Sequence, residues 1–403
     1  MTSPPASPPI KLYGASWCPD CRRAKKFLGE QRVEFEWQDI EKEPELVRIV
    51  EERNGGKHII PTVVFPDDSF LAEPSNEELA EKIGLTQRAR KAVYDLIVIG
   101  GGPAGLTTAI YAARENIETL VIERSGLGGQ AGVTERLDNY PGFPEGVGGG
   151  ELADRIVAQA QRYGVEMLQA VSVASISMDG DQRVVRTSGG DEYRSRAVLI
   201  ATGSSYRRTN RPGEEELIGA GIHFCATCDG PFYKGSKDLL VLGGGNSGLE
   251  EGLFLTQFTN AVTVVEAADQ LKAGRPLQEK VTQHPKMSVR LHTEVAEFVT
   301  DEGGKLGAVR LKDRSTGDES ELRPDGVFVF IGLDPNVEAV KESVELSPAG
   351  FVGTSRTLET TMPGVFAAGD VREGSTKQLA SAVGEGATAA LMIRAYLDES
   401  GAG

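Results

Sequence analysis

Two stretches of the chain follow one plan. "VYDLIVIGGGPAGLTTAIYAARENIETLVIER", from Val93, reads as an apolar strand, a Gly-rich turn, a helix and a second strand. "DLLVLGGGNSGLEEGLFLTQFTNAVTVVEAAD", from Asp238, repeats it. Gly100, Gly102 and Gly105 correspond to Gly243, Gly245 and Gly248, and Glu123 corresponds to Glu266 at the same offset. Such glycines serve a tight turn, close approach to a pyrophosphate, and helix-on-strand packing. The helix N-terminus offers N–H groups to phosphates. An acid ending the second strand can bond both ribose hydroxyls. A lone loop of this kind is often an ordinary turn. Two copies, each between a strand and a helix, predict two dinucleotide-binding domains in a doubly wound α/β architecture.

Composition narrows the classes. With 403 residues the chain is too long for one core. Its 39% hydrophobic and 25% charged residues fit a soluble globular protein. A formal charge of -16 argues against nucleic acid as a partner. No apolar run approaches the ~18 residues of a membrane span. The opening "MTSPPASPPI" lacks a basic n-region and an apolar h-region, so it does not read as a secretory signal. Residues 1–9 read as a disordered Pro/Ser-rich tail. The expectation is a cytoplasmic protein, where paired cysteines are more often catalytic or metal-binding than structural.

Ahead of the duplicated part lies a smaller module, 10–85, followed by a polar linker, 86–92. Ile10–Tyr13 reads as a strand, and "CRRAKKFLGEQ" as a helix with Ala24, Phe27 and Leu28 on one face. A second strand, "VEFEWQDI", and a second helix, "PELVRIVEERNGG", follow. "HIIPTVVFPDDSFL" reads as strand, turn and strand, and "SNEELAEKIGL" as a closing helix capped by Ser75. Cys18 stands at the start of the first helix, where free N–H groups and the dipole lower a thiol pKa. Arg22, Arg23 and Lys25 either deepen that effect or form the solvated face of the helix. Cys21 is placed to resolve, and Pro19 fits a first helical position.

The remaining cysteines are Cys225 and Cys228 in "HFCATCDGPF". A zinc ribbon needs two C-x-x-C pairs about 15–20 residues apart. These pairs are far apart and differently flanked, so no metal site is expected. A dithiol at a helix start can form a short disulfide and stabilise a thiolate. Asp229 follows directly and can exchange the proton that thiol–disulfide exchange needs. Its alternative is an acid favoured by the helix dipole. His223 is read as a packing or capping residue.

"GGGPAGL", "GGQ", "NYPGF", "ATG" at Ala201–Gly203, "CATCDG", "GGGNS" and "FAAGD" run in the order found in the low-molecular-weight thioredoxin reductases. From Val93 to Leu397 the chain resembles that family. The resemblance implies that the first loop, Gly100, Gly102, Pro103, Ala104 and Gly105, holds FAD. Glu123 would meet the adenosine ribose, and Gly129, Gln130 and Asn139 would lie near the isoalloxazine. Ala201, Thr202 and Gly203 would line the site. Gly369 and Asp370 would bind the ribityl-phosphate region, and Gln378, Leu379 and Ala380 would cover the flavin. The second loop, with Gly243, Gly245, Asn246, Ser247 and Glu266, would hold the nicotinamide nucleotide. Its domain, 209–334, would be inserted between FAD-domain segments 93–208 and 335–403. Of the redox pair, Cys228 would be nearer the flavin and Cys225 would attack the outgoing disulfide. A homodimer is also implied.

NADPH-using members usually carry an Arg pair after the second-domain strand. Here the segment is "VVEAADQLKA", where Glu266 suits the free 2′-hydroxyl of NADH. It is more like the NADH-using flavoprotein of alkyl hydroperoxide reductase. NADH is therefore expected over NADPH, with Lys272 and Arg275 as the cations that could still hold a 2′-phosphate.

The segments "SWCPDC", "NGGKHIIPTVVFPDDS" and "EPSNEELAEKIGL" make residues 10–85 resemble glutaredoxins, most closely the mycoredoxin-type branch. The implied fold is the thioredoxin fold, with a cis-proline at Pro61 and the Ile60 backbone free to pair with a substrate. On its own an X–Pro bond is cis only ~5–6% of the time. "FLAEPSNEE" departs from the Gly-Gly and Asp that hold glutathione. That leaves mycothiol-type mixed disulfides or protein disulfides as substrates. The expected function is a relay from NADH through FAD and Cys225/Cys228 to Cys18/Cys21, then to an external disulfide. The alternatives are a peroxiredoxin-reducing NADH flavoprotein and a slow-turnover flavin redox sensor.

Overall fold

The computed structural model describes residues 9–15, 17–134, 136–137, 139–301 and 303–400. The expected tail, 1–9, falls almost wholly outside them. In the N-terminal module β1 (Ile10–Gly14) is followed by α1 (Pro19–Glu30), β2 (Phe35–Asp39), α2 (Pro44–Arg53), β3 (Thr62–Val64), β4 (Phe70–Ala72) and α3 (Asn76–Lys82). The sheet order is β2-β1-β3-β4. β1 and β2 are parallel, because α1 crosses between them; the other pairs are antiparallel. Leu12 and Val63 meet Ala24, Phe27 and Leu28 of α1 and Leu79 and Ala80 of α3 in one core. The 3.6-residue spacing on α1 thus faces the two-residue alternation of the sheet. A capping box starts α3. The Ser75 hydroxyl accepts the Glu78 N–H (3.1 Å), and the Glu78 carboxylate accepts the Ser75 N–H (2.7 Å).

The next segment builds β5 (Val93–Ile99), α4 (Pro103–Arg114), β6 (Thr119–Ile122), α5 (Gly129–Gly132), α6 (Gly149–Arg162), β7 (Glu166–Leu168), β8 (Val173–Asp179), β9 (Gln182–Thr187) and β10 (Glu192–Ile200). They form a sheet of order β7-β6-β5-β10-β9-β8, with Val365–Ala367 returning beside β10. Alternate residues of β5 enter two cores. Leu96 and Val98 pack with α4 and the C-terminal helix Leu379–Ser400, while Ile97 and Ile99 pack on the other face. A strand segment buried on both faces has to be apolar, as Leu96–Ile99 is.

The second copy has its own parallel sheet, ordered Ile222–His223, Gly326–Val329, Ser236–Leu242, Thr259–Val265 and Met287–Arg290, plus an antiparallel sheet from Thr293–Thr300, Leu306–Asp313 and Glu319–Leu322. By contacts the chain divides into two units. The first holds 1–134, 148–203 and 335–403; the second holds 135–147 and 204–334. The N-terminal module therefore groups with the first sheet. The polar linker joining them is strapped down. The Ala89 and Lys91 N–H groups donate to the hydroxyls of Tyr193 and Tyr94 (3.2 Å each), and that of Arg90 donates to Glu166 (2.8 Å).

Ser75→Ala is expected to remove about 1 kcal/mol of stability from the N-terminal module. Urea unfolding followed at Trp17 and Trp37 measures it, and an unchanged midpoint would contradict the cap.

Candidate active site

The two glycine loops match in detail. Gly100 (φ +110°) and Gly243 (φ +116°) turn with positive φ, which favours glycine. A side chain on Gly105 would strike the Gly100 carbonyl, and one on Gly248 would strike that of Gly243. The acids match as well. Glu123 accepts the N–H of Gly101 (2.6 Å) and Ser125 (2.7 Å), and Glu266 accepts those of Gly244 (2.7 Å) and Ala268 (2.9 Å). Each carboxylate thus closes its own loop, while its oxygens keep a second lone pair for a ligand. Burial pushes the Glu123 carboxyl above the usual range, against the pull of those two N–H groups.

Around the first loop, Gly129 of α5 approaches Gly102, and the Ala201 carbonyl lies against Gly100. The Thr202 hydroxyl donates to the Asn336 carbonyl (2.6 Å), and the Asn336 amide donates back to the Thr202 carbonyl (2.8 Å). Gly203 turns at φ +70°. Gly369 donates its N–H to Glu385 (2.8 Å), which also takes a two-pronged bond from Arg372 (2.8 and 3.1 Å). This largely buried pair anchors the Gly369–Asp370 turn to the C-terminal helix, which opens at Leu379 and Ala380, just after Gln378. Burial raises the Asp370 carboxyl, with the Lys377 charge opposing it, and burial lowers the Lys377 ammonium. Lys377 bonds the Asp370 carbonyl (2.5 Å) and lies 4.1 Å over the Phe351 ring. Asn139 belongs to the 135–147 segment grouped with the second unit, whereas Gly129 and Gln130 belong to the first. Glu385 and Arg372 carry no sequence signature; only their contacts mark them.

In the second unit Asn246 follows the loop and accepts the Gly274 N–H (2.8 Å), with Ser247 beside it in the first helical turn. Cys225 is in a disulfide. Cys228 lies in the short helix Ala226–Asp229, and its side chain is outside the described residues. The structure adds a network at this point. His223 Nδ1 lies 3.5 Å from Asp229, and its Nε2 is 2.7 Å from the Tyr233 hydroxyl. Burial, then the charges of Asp229 and Asp325, push the Tyr233 hydroxyl up to about 12. Tyr233 therefore keeps its proton and can donate it to Nε2, which leaves the imidazole N–H on Nδ1, toward Asp229. His223 is thus part of the Asp229 environment rather than a packing residue alone. Its position two residues before Cys225 was the available signal.

In the N-terminal module Cys18 and Cys21 are free thiols. Cys18 caps α1, its Sγ accepting the Cys21 N–H (3.1 Å). The Ile60–Pro61 bond is cis, and the Ile60 carbonyl is 3.9 Å from Cys18 Sγ. Burial, then the hydrogen bond with Cys18, push the Cys21 thiol up to about 12. The basic residues of α1 divide. Arg23 is taken up by the Pro74 carbonyl (2.7 Å) and Asn76 (2.8 Å), Lys25 lies over Trp37 (4.4 Å), and Arg22 is on the exposed face.

Residues 94–386 match the pyridine nucleotide-disulphide oxidoreductase family. The chain belongs to that family. Residues 10–70 match the glutaredoxin family. Thioredoxin reductase of Bacillus subtilis (strain 168) is 42% identical over 311 residues, covering 77% of this chain and 97% of that one. The bifunctional thioredoxin reductase/thioredoxin of Mycobacterium leprae is 41% identical over 318 residues, 78% of this chain and 68% of that one. The crystal structure of thioredoxin reductase from Streptococcus pyogenes covers 76% of this chain and 99% of its own, with a TM-score of 0.72 at 37% identity. This oxidoreductase is thus an FAD-dependent, thioredoxin reductase-like enzyme with a glutaredoxin domain at its N-terminus.

The loops fit the nucleotides the family uses. A side chain at Gly102 would meet nothing closer than Gly129 at 4.0 Å, and one at Gly245 would meet nothing within 4 Å. Each helix therefore opens into free space where a pyrophosphate can reach its N–H groups. Among the described residues, no helix is long and apolar enough to cross a membrane.

Iodoacetamide at pH 8 is expected to label reduced protein at Cys18 with at least about tenfold preference over the high-pKa, fully buried Cys21. Peptide mass spectrometry reads the ratio, and equal labelling would contradict the assignment. The raised Cys21 pKa also carries a sign. The unfolded thiol ionises near 9 while the folded one keeps its proton to about 12, so the unfolded state binds fewer protons in that window. The reduced domain should therefore lose stability as pH rises from 9.

Proposed function

We propose that this chain carries electrons from NADH to its own glutaredoxin domain and on to a disulfide outside it. The observation that carries this reading is the pairing, in one chain, of a disulfide at Cys225 with a free dithiol at Cys18 and Cys21. FAD, when bound, supplies the two-electron link between a nicotinamide and a disulfide. The residues to hold it are Gly100, Gly102, Pro103, Ala104, Gly105, Glu123, Gly129, Gln130, Ala201–Gly203, Gly369, Asp370 and Gln378–Ala380.

The rest is thiol chemistry. The Cys225 thiolate attacks one sulfur of an oxidised Cys18–Cys21 disulfide, and the other sulfur leaves as a thiolate. Cys228 then attacks Cys225, re-forming their disulfide and releasing the second sulfur. Two electrons move, and the two protons lost by Cys225 and Cys228 balance those the receiving pair needs. Asp229, with His223 and Tyr233 behind it, is the group to carry them. Cys18 next attacks a mixed disulfide of a small thiol or a protein disulfide beside Ile60, and Cys21 resolves it.

NADH is favoured by the surroundings of Glu266. Its carboxylate would set a negative charge beside a 2′-phosphate, which the free 2′-hydroxyl of NADH avoids. Two of the nearby cations have carboxylate partners of their own. Arg275 pairs with Glu279 (3.8 Å), and Arg314 donates to the Ala267 carbonyl (3.1 Å) and faces Glu294 (3.7 Å).

Steady-state rates with each nucleotide test the donor. We expect kcat/KM at least about tenfold higher for NADH, and the reverse preference would overturn the reading. Cys18→Ser should abolish NADH-driven reduction of mixed disulfides and leave Cys225-dependent reduction of a small aromatic disulfide intact. Undiminished mixed-disulfide reduction in that variant would remove the glutaredoxin domain from the path.

A further inference from the structure

Among the described residues, two buried donors without acceptors belong to consecutive residues at the end of α1, beside Gly126. They are Gln31 Nε2 and Arg32 Nη1. Arg32 ends α1 at φ +54°, with the Val33 N–H closing on the Leu28 carbonyl (3.0 Å). That left-handed position at a helix end favours glycine. Here it holds an arginine whose side chain reaches across to the neighbouring domain. The guanidinium lies over Gly128 and Gly132, where side chains would crowd it, and its stem passes Gly150. Arg32 Nη2 pairs with the exposed Asp154 (2.6 Å). The Glu30 carbonyl sits directly on Gly126, and the Gln169 N–H donates to the Thr86 carbonyl (2.9 Å).

We propose that Gly126, Gly128, Gly132, Gly150 and Asp154 form a releasable dock for the glutaredoxin domain, with Arg32 as its latch. The bare glycines give the arginine a seat. The two orphaned donors work against a permanent join, since water satisfies both once the domain lifts off. The latch is an ion pair with an exposed partner, so salt weakens it. Cys18 stands at the far end of α1, about 18 Å along the helix from the seat. The active thiol is thus held away from the docked surface. The strap at Ala89–Lys91 leaves Leu85–Ala89 as the arm, about 14 Å when extended. Gly128–Gly132 is also the segment whose Gly129 and Gln130 are assigned to the flavin, so docking and flavin binding share one short helix. This inference rests on contacts within the first unit, and its readouts need no turnover. Its failure would leave the electron relay untouched.

The test uses full-length, FAD-loaded protein and three variants. Arg32→Gly suits the left-handed backbone, so it preserves the fold of the glutaredoxin domain while removing the latch. Gly126→Ala is a wedge, because the atoms its methyl would meet belong to Glu30 and Gln31. The third is the charge swap Arg32→Glu with Asp154→Arg. Trypsin cleavage at Arg88, in the arm, and deuterium uptake at 126–132 report the docked state. Both single variants should speed cleavage at least about fivefold, and raising NaCl to about 1 M should do the same to the wild type. The swap should return cleavage toward the wild-type rate at low salt. The flavin spectrum should stay unchanged throughout. Wild-type cleavage and exchange in both single variants would overturn the dock. Fast cleavage in the swap would overturn the role of Arg32.

Discussion

The helix that opens at Pro103 can lie on its strand only because Gly105 presents no side chain to the Gly100 carbonyl. The same contact recurs between Gly248 and Gly243. Each brings a helix N-terminus to the end of a parallel strand and leaves its first N–H groups pointing into open space. Glu123 and Glu266 then tie the next turn to the loop rim through paired N–H bonds. The open N-terminus of each of these two helices depends on that close backbone approach.

Around this frame the two cysteine pairs are treated differently. Cys225 is oxidised and has Asp229, His223 and Tyr233 close in sequence and space. Cys18 and Cys21 are reduced, with Cys18 capping a helix and Cys21 sealed beneath it. Burial explains the division of labour in the second pair. A thiol whose pKa stands near 12 keeps its proton at neutral pH, which favours the proposed first attack by Cys18.

Much of this was legible in the sequence because it is local. The loops, the helix starting after Cys18, the Ser75 cap and the alternating strands each depend on residues a few positions apart. Asp229 could be read as a proton carrier from its place beside Cys228. The Arg372–Glu385 pair that holds Gly369 could not, because the partners lie on a loop and on a helix and share no spacing rule. His223 reads as a packing residue for a related reason. A lone histidine gains meaning only when its ring nitrogens find Tyr233 and Asp229. The linker 86–92 reads as a plain polar connector, yet three of its N–H groups are claimed by Tyr94 of the strand that follows and by Tyr193 and Glu166 of distant strands.

The sequence by itself determined the duplicated α/β plan, the glutaredoxin domain before it, and the residue types able to bind nucleotides and exchange disulfides. Those features follow from steric rules on glycine and from helix and strand periodicity, which act over short stretches. Only the tertiary structure decided which acids close their own loops and where the glutaredoxin domain rests. Arg32 shows the difference most plainly. In the sequence it is a polar residue after a helix, and in the fold its charge is set into a bed of glycines far along the chain.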